Sequence, residues 1–195
     1  WVFKKWTANP DNMLNVSKSL RESLKHDFLC DSTSLLKVNE SPEGTRKMLL
    51  KLRDGEIIEC AIIPSPRDER TTFCLSTQVG CPVGCVFCAS GKGGLKRNLQ
   101  SGEIMEQFFH ACRLVNSLPD NIVFMGIGEG LLNFQNLAES LEMLSDPDRV
   151  GLAQRRITVS TSGWVKGIRQ LADLDRQFNL AVSLDRIGKA SAAGP

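Results

Sequence analysis

Three cysteines, Cys81, Cys85 and Cys88, fall within eight consecutive positions of the segment GCPVGCVFCASGKGG. The chain has seven cysteines, an odd count, the others being Cys30, Cys60, Cys74 and Cys112. Such close packing points to a metal rather than to disulfides. Three soft thiolates on a short glycine-containing loop can hold three irons of a [4Fe–4S] cube and leave the fourth iron open. An open iron can chelate the amino and carboxylate groups of S-adenosylmethionine (SAM) and deliver an electron to its sulfonium, and cleavage then yields a carbon radical. The alternative is a zinc site with Cys74 as fourth ligand. Zinc sites usually pair two short cysteine hooks far apart in sequence, and Cys74 lies only seven residues before Cys81, at the opposite end of a predicted strand.

Around this loop the chain alternates strand and helix. Residues 71–79 read as a strand that runs into the cysteines, and Ser101 as the N-cap of a helix carrying Ile104, Phe108, Cys112 and Val115 on one face. Residues 121–125, 156–160 and 180–184 read as further strands, with helices marked by Leu137, Leu141 and Leu144 and by Val165, Ile168 and Ala172. This order predicts an α/β fold with a parallel sheet covered by helices, whose ligands gather at the carboxyl ends of the strands. Before it, residues 10–28 show helical spacing, and residues 46–52 and 56–63 flank Asp54-Gly55, a dipeptide suited to a tight hairpin turn. The expected division is an N-terminal helical and hairpin unit over 1–66, an incomplete barrel over 67–187 and a linker-like tail over 188–195.

The net charge of +2 neither demands nor excludes a nucleic-acid partner, so any RNA contact rests on local groups such as Lys92, Lys96, Arg97, Arg155 and Arg156. Each of these either meets phosphates or is part of a solvated basic surface, the latter being the reading favoured for each taken singly. No apolar run approaches the roughly 20 residues that span a bilayer, and the first ten residues lack a signal-peptide layout. No membrane partner and a cytoplasmic location are expected.

Two glycine-rich pieces also sit at strand ends. In GIGEG, residues 126–130, Glu129 is either a solvated surface charge or, beside a chelating loop, an acceptor for the SAM ammonium group. In STSG, residues 160–163, the hydroxyls either make a Ser/Thr turn or bond the ribose or carboxylate of SAM. Phe87 either shelters the cluster and the adenine or packs in the core.

The segments CLSTQVGCPVGCVFCASGKGGLKRNLQSGEIMEQ, NIVFMGIGE, RRITVSTSG and LAVSL together resemble the dual-specificity RNA methyltransferases, radical SAM enzymes that methylate carbon 2 of an adenine in 23S rRNA and in tRNA. The resemblance runs from about Val16 to Leu184, and Cys74, the run Lys96-Arg97-Asn98-Leu99 and STSG make it specific. It implies a partial (β/α) radical SAM barrel with a small N-terminal helical and hairpin unit. In such enzymes a C-terminal cysteine takes a methyl group from one SAM, a radical from a second SAM activates it for addition to the electron-poor carbon, and another cysteine resolves the protein–RNA crosslink. Carried over, Cys81, Cys85 and Cys88 hold the cluster, Cys74 is the resolving thiol and Glu59 the proton acceptor. Gly128, Glu129, Ser160, Ser183, Leu184 and Asp185 occupy the SAM-contact positions. An electron donor such as flavodoxin or ferredoxin is implied as a partner.

Three departures stand out. The family usually reads GEP where this chain has Glu129-Gly130, and SLH where it has Ser183-Leu184-Asp185. No counterpart of the methyl-carrying cysteine precedes Pro195, so the chain is expected to be truncated and inactive as given. The alternative is a non-catalytic fragment that holds metal and RNA.

Overall fold

The computed structural model describes residues 2–7, 9–28, 32–85 and 88–183. In chain order the elements are α1 (Val2–Lys5), α2 (Lys18–Asp27), β1 (Thr33–Glu40), β2 (Arg46–Leu52), β3 (Ile57–Pro64), β4 (Thr71–Cys74), β5 (Gln78–Gly80) and β6 (Leu95–Asn98). They continue with α3 (Ser101–Val115), β7 (Asn121–Phe124), α4 (Phe134–Ser145), β8 (Ile157–Thr161), α5 (Val165–Asp173) and β9 (Asn179–Val182). Strands β1-β2-β3-β4-β7-β8-β9 form one seven-stranded sheet in that order, and β5 with β6 forms a separate ribbon. The pairs from β4 to β9 are parallel, as the alternation of strand and helix predicts, and the pairs from β1 to β4 are antiparallel.

The position chosen in the sequence as the end of the N-terminal unit, Pro66, thus falls between two hydrogen-bonded neighbours. Ala61 of β3 pairs with Cys74 of β4, which makes the hairpin a continuation of the barrel sheet.

Side chains alternate across a strand, so the register sorts the sheet into two faces. Met48, Leu50, Ile58, Ile62, Phe73, Ile122 and Val159 share one face and are wholly or almost wholly buried there. Helices cover it: the ring of Phe108 on α3 lies 6.1 Å from that of Phe73, and Leu137, Leu141 and Leu144 of α4 are buried with them. The opposite face carries Lys47, Glu59, Ala61, Cys74, Val123 and Ser160, all half-buried or exposed. This open face and the carboxyl ends of β4, β7 and β8 frame the site.

Three sequence expectations change, and β1 and β6 are strands that the sequence pattern does not mark. The helical pattern over 10–28 splits: a 3-10 turn spans Pro10–Asn12, Met13 is buried, and α2 starts only at Lys18, where Ser17 caps the Leu20 N–H at 3.3 Å. No residue of α2 is buried. The strand read over 71–79 is two strands, β4 and β5, separated by a stretch whose side chains bond the backbone of neighbouring segments. The helix α3 is capped one residue earlier than Ser101, because Glu103 reaches back to the N–H of Gln100 at 2.9 Å. Strand β1 has no clear alternation in the sequence, since a bulge between Leu35 and Lys37 shifts its register.

Candidate active site

The cysteine loop is closed at its base. Gly80, at φ +75°, ends β5, and a Cβ there would stand 2.0 Å from the Gly94 carbonyl oxygen. The Cys81 N–H instead donates to that oxygen at 3.1 Å. Farther round, the Cys88 N–H donates to the Cys85 carbonyl at 3.0 Å, and Gly91 lies so close to Gly84 that a Cβ on it would meet the Gly84 Cα at 3.1 Å. Cys81, Cys85 and Cys88 are half-buried and free. Burial pushes the Cys81 thiol up, partly offset by the Val83 N–H, and Cys85, Cys88 and Glu129 add smaller like-charge contributions. Hydrogen bonds from the Ser90 side chain and backbone pull the Cys88 thiol down.

Among the described residues no three His, Cys, Asp or Glu side chains stand converged for a metal. Val86 and Phe87, between the second and third thiols, lie outside the described residues. The donor set itself suits an iron–sulfur cube: three free cysteines on one tight glycine loop, with a sulfur-rich composition that oxygen-preferring cations would not select.

Glu129 stands at the carboxyl end of β7 and is almost wholly buried. One carboxylate oxygen accepts the Ser162 N–H at 2.7 Å and the Ser162 hydroxyl at 2.9 Å. The other accepts the Leu131 N–H at 3.3 Å, and the Glu129 N–H donates to Gln78 Oε1 at 2.8 Å. Among the described residues no Lys or Arg forms an ion pair with it. A buried carboxylate balanced only by neutral donors favours a cation beside it.

The preceding glycines let two backbones touch. A Cβ on Gly126 would lie 2.5 Å from Ser76 Oγ, and one on Gly128, at φ +110°, would lie 2.6 Å from the Gln78 Cβ. In that space the Ile127 carbonyl accepts the N–H groups of both Thr77 and Gln78, at 2.9 and 3.1 Å. The Ser76 hydroxyl donates to the Glu59 carbonyl at 2.5 Å and accepts the Ile127 N–H at 2.8 Å. Ser76, Thr77 and Gln78 are buried polar residues, as are Gln107, which bonds both backbone groups of Ser76, and Asn133, which donates to the Thr77 and Leu99 carbonyls.

Glu59 and Cys74 share the open face, since Cys74 is paired opposite Ala61, two residues from Glu59. The Glu59 carboxylate is 3.2 Å from Lys47 Nζ. The Cys74 sulfur accepts the Met125 N–H, and burial pushes its thiol up. The Cys74 thiol also lies near enough to Cys60 to bear on its charge.

Ser160 donates its hydroxyl to the Phe124 carbonyl at 2.7 Å, while its neighbour Ser162 reaches Glu129. Ser183 follows β9, its N–H bonded to the Thr161 carbonyl at 2.9 Å. Leu184 and Asp185 lie outside the described residues, as does Cys30.

Ser76 and Gln78 are not expected at the site from the sequence, and Ser162, whose hydroxyl in STSG is expected to bond SAM or make a turn, bonds Glu129 instead. The signal for the first two is the triplet Ser76-Thr77-Gln78, three polar residues in succession inside a segment otherwise apolar enough for a buried strand.

No family model matches the chain. A probable dual-specificity RNA methyltransferase RlmN of Akkermansia muciniphila is 43% identical over 190 residues, which cover 94% of this chain and 53% of the relative. A probable dual-specificity RNA methyltransferase RlmN 3 of Opitutus terrae is 44% identical over 200 residues, 94% of this chain and 54% of the relative. The crystal structure of a radical SAM methyltransferase from Sphaerobacter thermophilus superposes with a TM-score of 0.88 at 37% identity, over 94% of this chain and 55% of that one. The chain therefore spans about half the length of the relatives it matches.

Proposed function

The chain belongs, across the 94% of it that aligns, to the dual-specificity RNA methyltransferase family of radical SAM proteins, and from that premise we propose that it holds a [4Fe–4S] cluster and SAM for methylation of adenine carbon 2 in 23S rRNA and tRNA. The observation that carries the reading is Glu129, a buried carboxylate without a cationic partner among the described residues, close enough to bear on the Cys81 thiol.

Cys81, Cys85 and Cys88 are the residues to hold the cluster. When bound, it supplies an open iron for the amino and carboxylate groups of SAM and an electron from a donor such as flavodoxin or ferredoxin. Glu129 accepts the SAM ammonium group, held in place by Ser162 and by the Leu131 N–H. Gly128 brings backbone rather than a side chain to the ligand, and Ser160, Ser183, Leu184 and Asp185 complete the contacts. On the open face Glu59 takes the adenine proton, with Lys47 beside it to stabilise the carboxylate, and Cys74 is the resolving thiol. Burial keeps Cys74 a thiol until it is needed, which protects it from adventitious oxidation. The reaction belongs in the cytoplasm, where ribosomal and transfer RNA are modified.

A second reading is a metal- and RNA-binding chain without turnover. Two cysteines outside the loop, Cys60 and Cys112, are buried thiols, the latter pushed up to about 12, and are poor nucleophiles in the folded chain.

The test is anaerobic reconstitution with iron and sulfide, then reduction with labelled SAM and unmodified 23S rRNA. Uptake of about four irons, abolished by Cys85→Ala, supports the cluster. Stoichiometric zinc without iron uptake overturns it. Multiple-turnover formation of 2-methyladenosine selects the catalytic reading over the second one.

A further inference from the structure

We propose that Gln78 is a positioning residue: its side-chain amide fixes how far the loop carrying Glu129 stands from the cysteine loop, and so where SAM lies against the cluster ligands. The inference rests on the assignment of Glu129 and the loop cysteines made above.

Gln78 is wholly buried. Its Oε1 accepts the Glu129 N–H at 2.8 Å, and its Nε2 donates to Asn98 Oδ1 at 2.8 Å. Asn98 is the residue directly opposite Gln78 in the ribbon of β5 and β6. That ribbon is the stem of the cysteine loop, which begins at Cys81 and is closed by the bond from Cys81 to Gly94. One amide therefore connects the stem of the cysteine loop to the backbone of Glu129.

The amide is also polarised in one direction. Its single acceptor meets an N–H and its donor meets an oxygen, so turning it over would set N–H against N–H. The separation is limited from the other side by contact: Gly128 has room for no Cβ, which would fall 2.6 Å from the Gln78 Cβ and 2.8 Å from its Cγ. The bond draws the two loops together and the glycine contact stops them. Glu129 is also held by Ser162 and the Leu131 N–H at its carboxylate, and the Ile127 carbonyl ties the preceding backbone to Thr77 and Gln78, so the Gln78 amide acts on the Glu129 backbone within an already restrained loop.

A side chain that only filled the core would be replaceable by an apolar one of equal length. A positioning amide would not, because the Glu129 N–H would be left without its partner and the loop would turn to find another. The experiment compares the whole chain with Gln78→Met, Asn98→Ala and Asn98→Asp, each reconstituted anaerobically. Iron per chain, the SAM dissociation constant and the change that SAM produces in the electron paramagnetic resonance spectrum of the reduced protein are recorded. Gln78→Met is expected to keep its iron, bind SAM about tenfold more weakly and show an altered SAM-dependent spectrum, in line with the usual effect of one buried hydrogen bond. Asn98 is exposed, so Asn98→Ala folds; it should shift affinity and spectrum the same way by about threefold, as a partial loss of that bond implies. Asn98→Asp, which still accepts from Nε2, should restore both. Wild-type affinity and spectrum in Asn98→Ala, or in an iron-loaded Gln78→Met, would overturn the inference alone. A wild-type chain that takes up iron but binds no SAM would overturn the assignment of Glu129 and this inference with it.

Discussion

Ser162 donates twice to a single oxygen of Glu129, through its backbone N–H at 2.7 Å and its hydroxyl at 2.9 Å. The loops that follow β7 and β8 are thereby joined by a carboxylate, and the position of that carboxylate is set before any ligand arrives. Pre-set charge of this kind costs no reorganisation on binding.

Glu129→Gln should separate charge from geometry. The amide oxygen can still accept from Ser162, so the fold and the iron content are expected to stay. The negative charge is gone, and SAM affinity should fall at least about tenfold, as expected for a charge-assisted bond. Calorimetric titration measures it. Unchanged affinity would remove the ammonium role from Glu129.

The thiols should differ in reactivity in the iron-free protein. The thiolate is the reactive form, so Cys88, whose thiol is pulled down by Ser90, should be alkylated first and should keep reacting as the pH is lowered below the point where the other thiols stop. Cys81 and Cys74, pushed up by burial, should react only at higher pH than Cys88, an order set by thiolate fraction. Cys60 and Cys112 should stay intact until the chain unfolds. A timed iodoacetamide pulse followed by peptide mass spectrometry gives the order, and equal labelling of Cys88 and Cys112 would contradict it.

Arg97 on β6 joins three segments. It donates to both carboxylate oxygens of Glu103 at 2.8 Å and to Asp54 of the hairpin turn at 2.6 Å. The Glu103 side chain is only 8% exposed, so Arg97→Ala would leave a nearly buried charge with only its helix-capping bond. A loss of about 2 kcal/mol is expected by urea unfolding, since charge-assisted bonds of this kind fall in that range. Arg97→Lys should recover only part of it, because an ammonium cannot make the paired contact. Asp54→Asn, at a more exposed pair, should cost less than about 1 kcal/mol.

Gly128→Ala should be among the most damaging single changes. The residue combines φ +110° with a Cβ position 2.6 Å from Gln78, so both backbone strain and overlap oppose it. A fall in melting temperature with loss of SAM binding is expected, whereas Gly93→Ala, where a Cβ meets nothing within 4 Å, should leave both unchanged.

Much of this arrangement was legible in the sequence. The order β4, α3, β7, α4, β8, α5 and β9 follows from apolar periodicity, because burial of one sheet face by helices is what produces that pattern, whereas the short ribbon of β5 and β6 carries no such signal. The three loop cysteines and Glu129 stood out because their residue types are unusual at strand ends. What could not be read is where polar side chains replace backbone pairing. Residues 71–79 look like one strand, and the break arises because Ser76 bonds β3 through Glu59 and the loop after β7 through Ile127, and Gln78 bonds Glu129 of that loop. Likewise Ser160 and Ser162 are indistinguishable in STSG, and only the bond of one to Phe124 and of the other to Glu129 separates their roles. Strand β1 shows no alternation in the sequence and none in its burial, since only Thr33 is buried and a bulge between Leu35 and Lys37 shifts its register.

The Ile127 carbonyl, which accepts the N–H groups of Thr77 and Gln78 together, has a consequence for solvent exchange. Both amide hydrogens are sheltered by the same oxygen, and neither can meet deuterated water while that oxygen holds it. Their exchange is therefore expected to report one shared opening rather than two local frays, with matching protection factors for the pair. Because the partner oxygen belongs to the loop that ends in Glu129, the rate at which these two hydrogens are lost is a clock for the parting of the two loops, readable on the protein without iron, SAM or RNA.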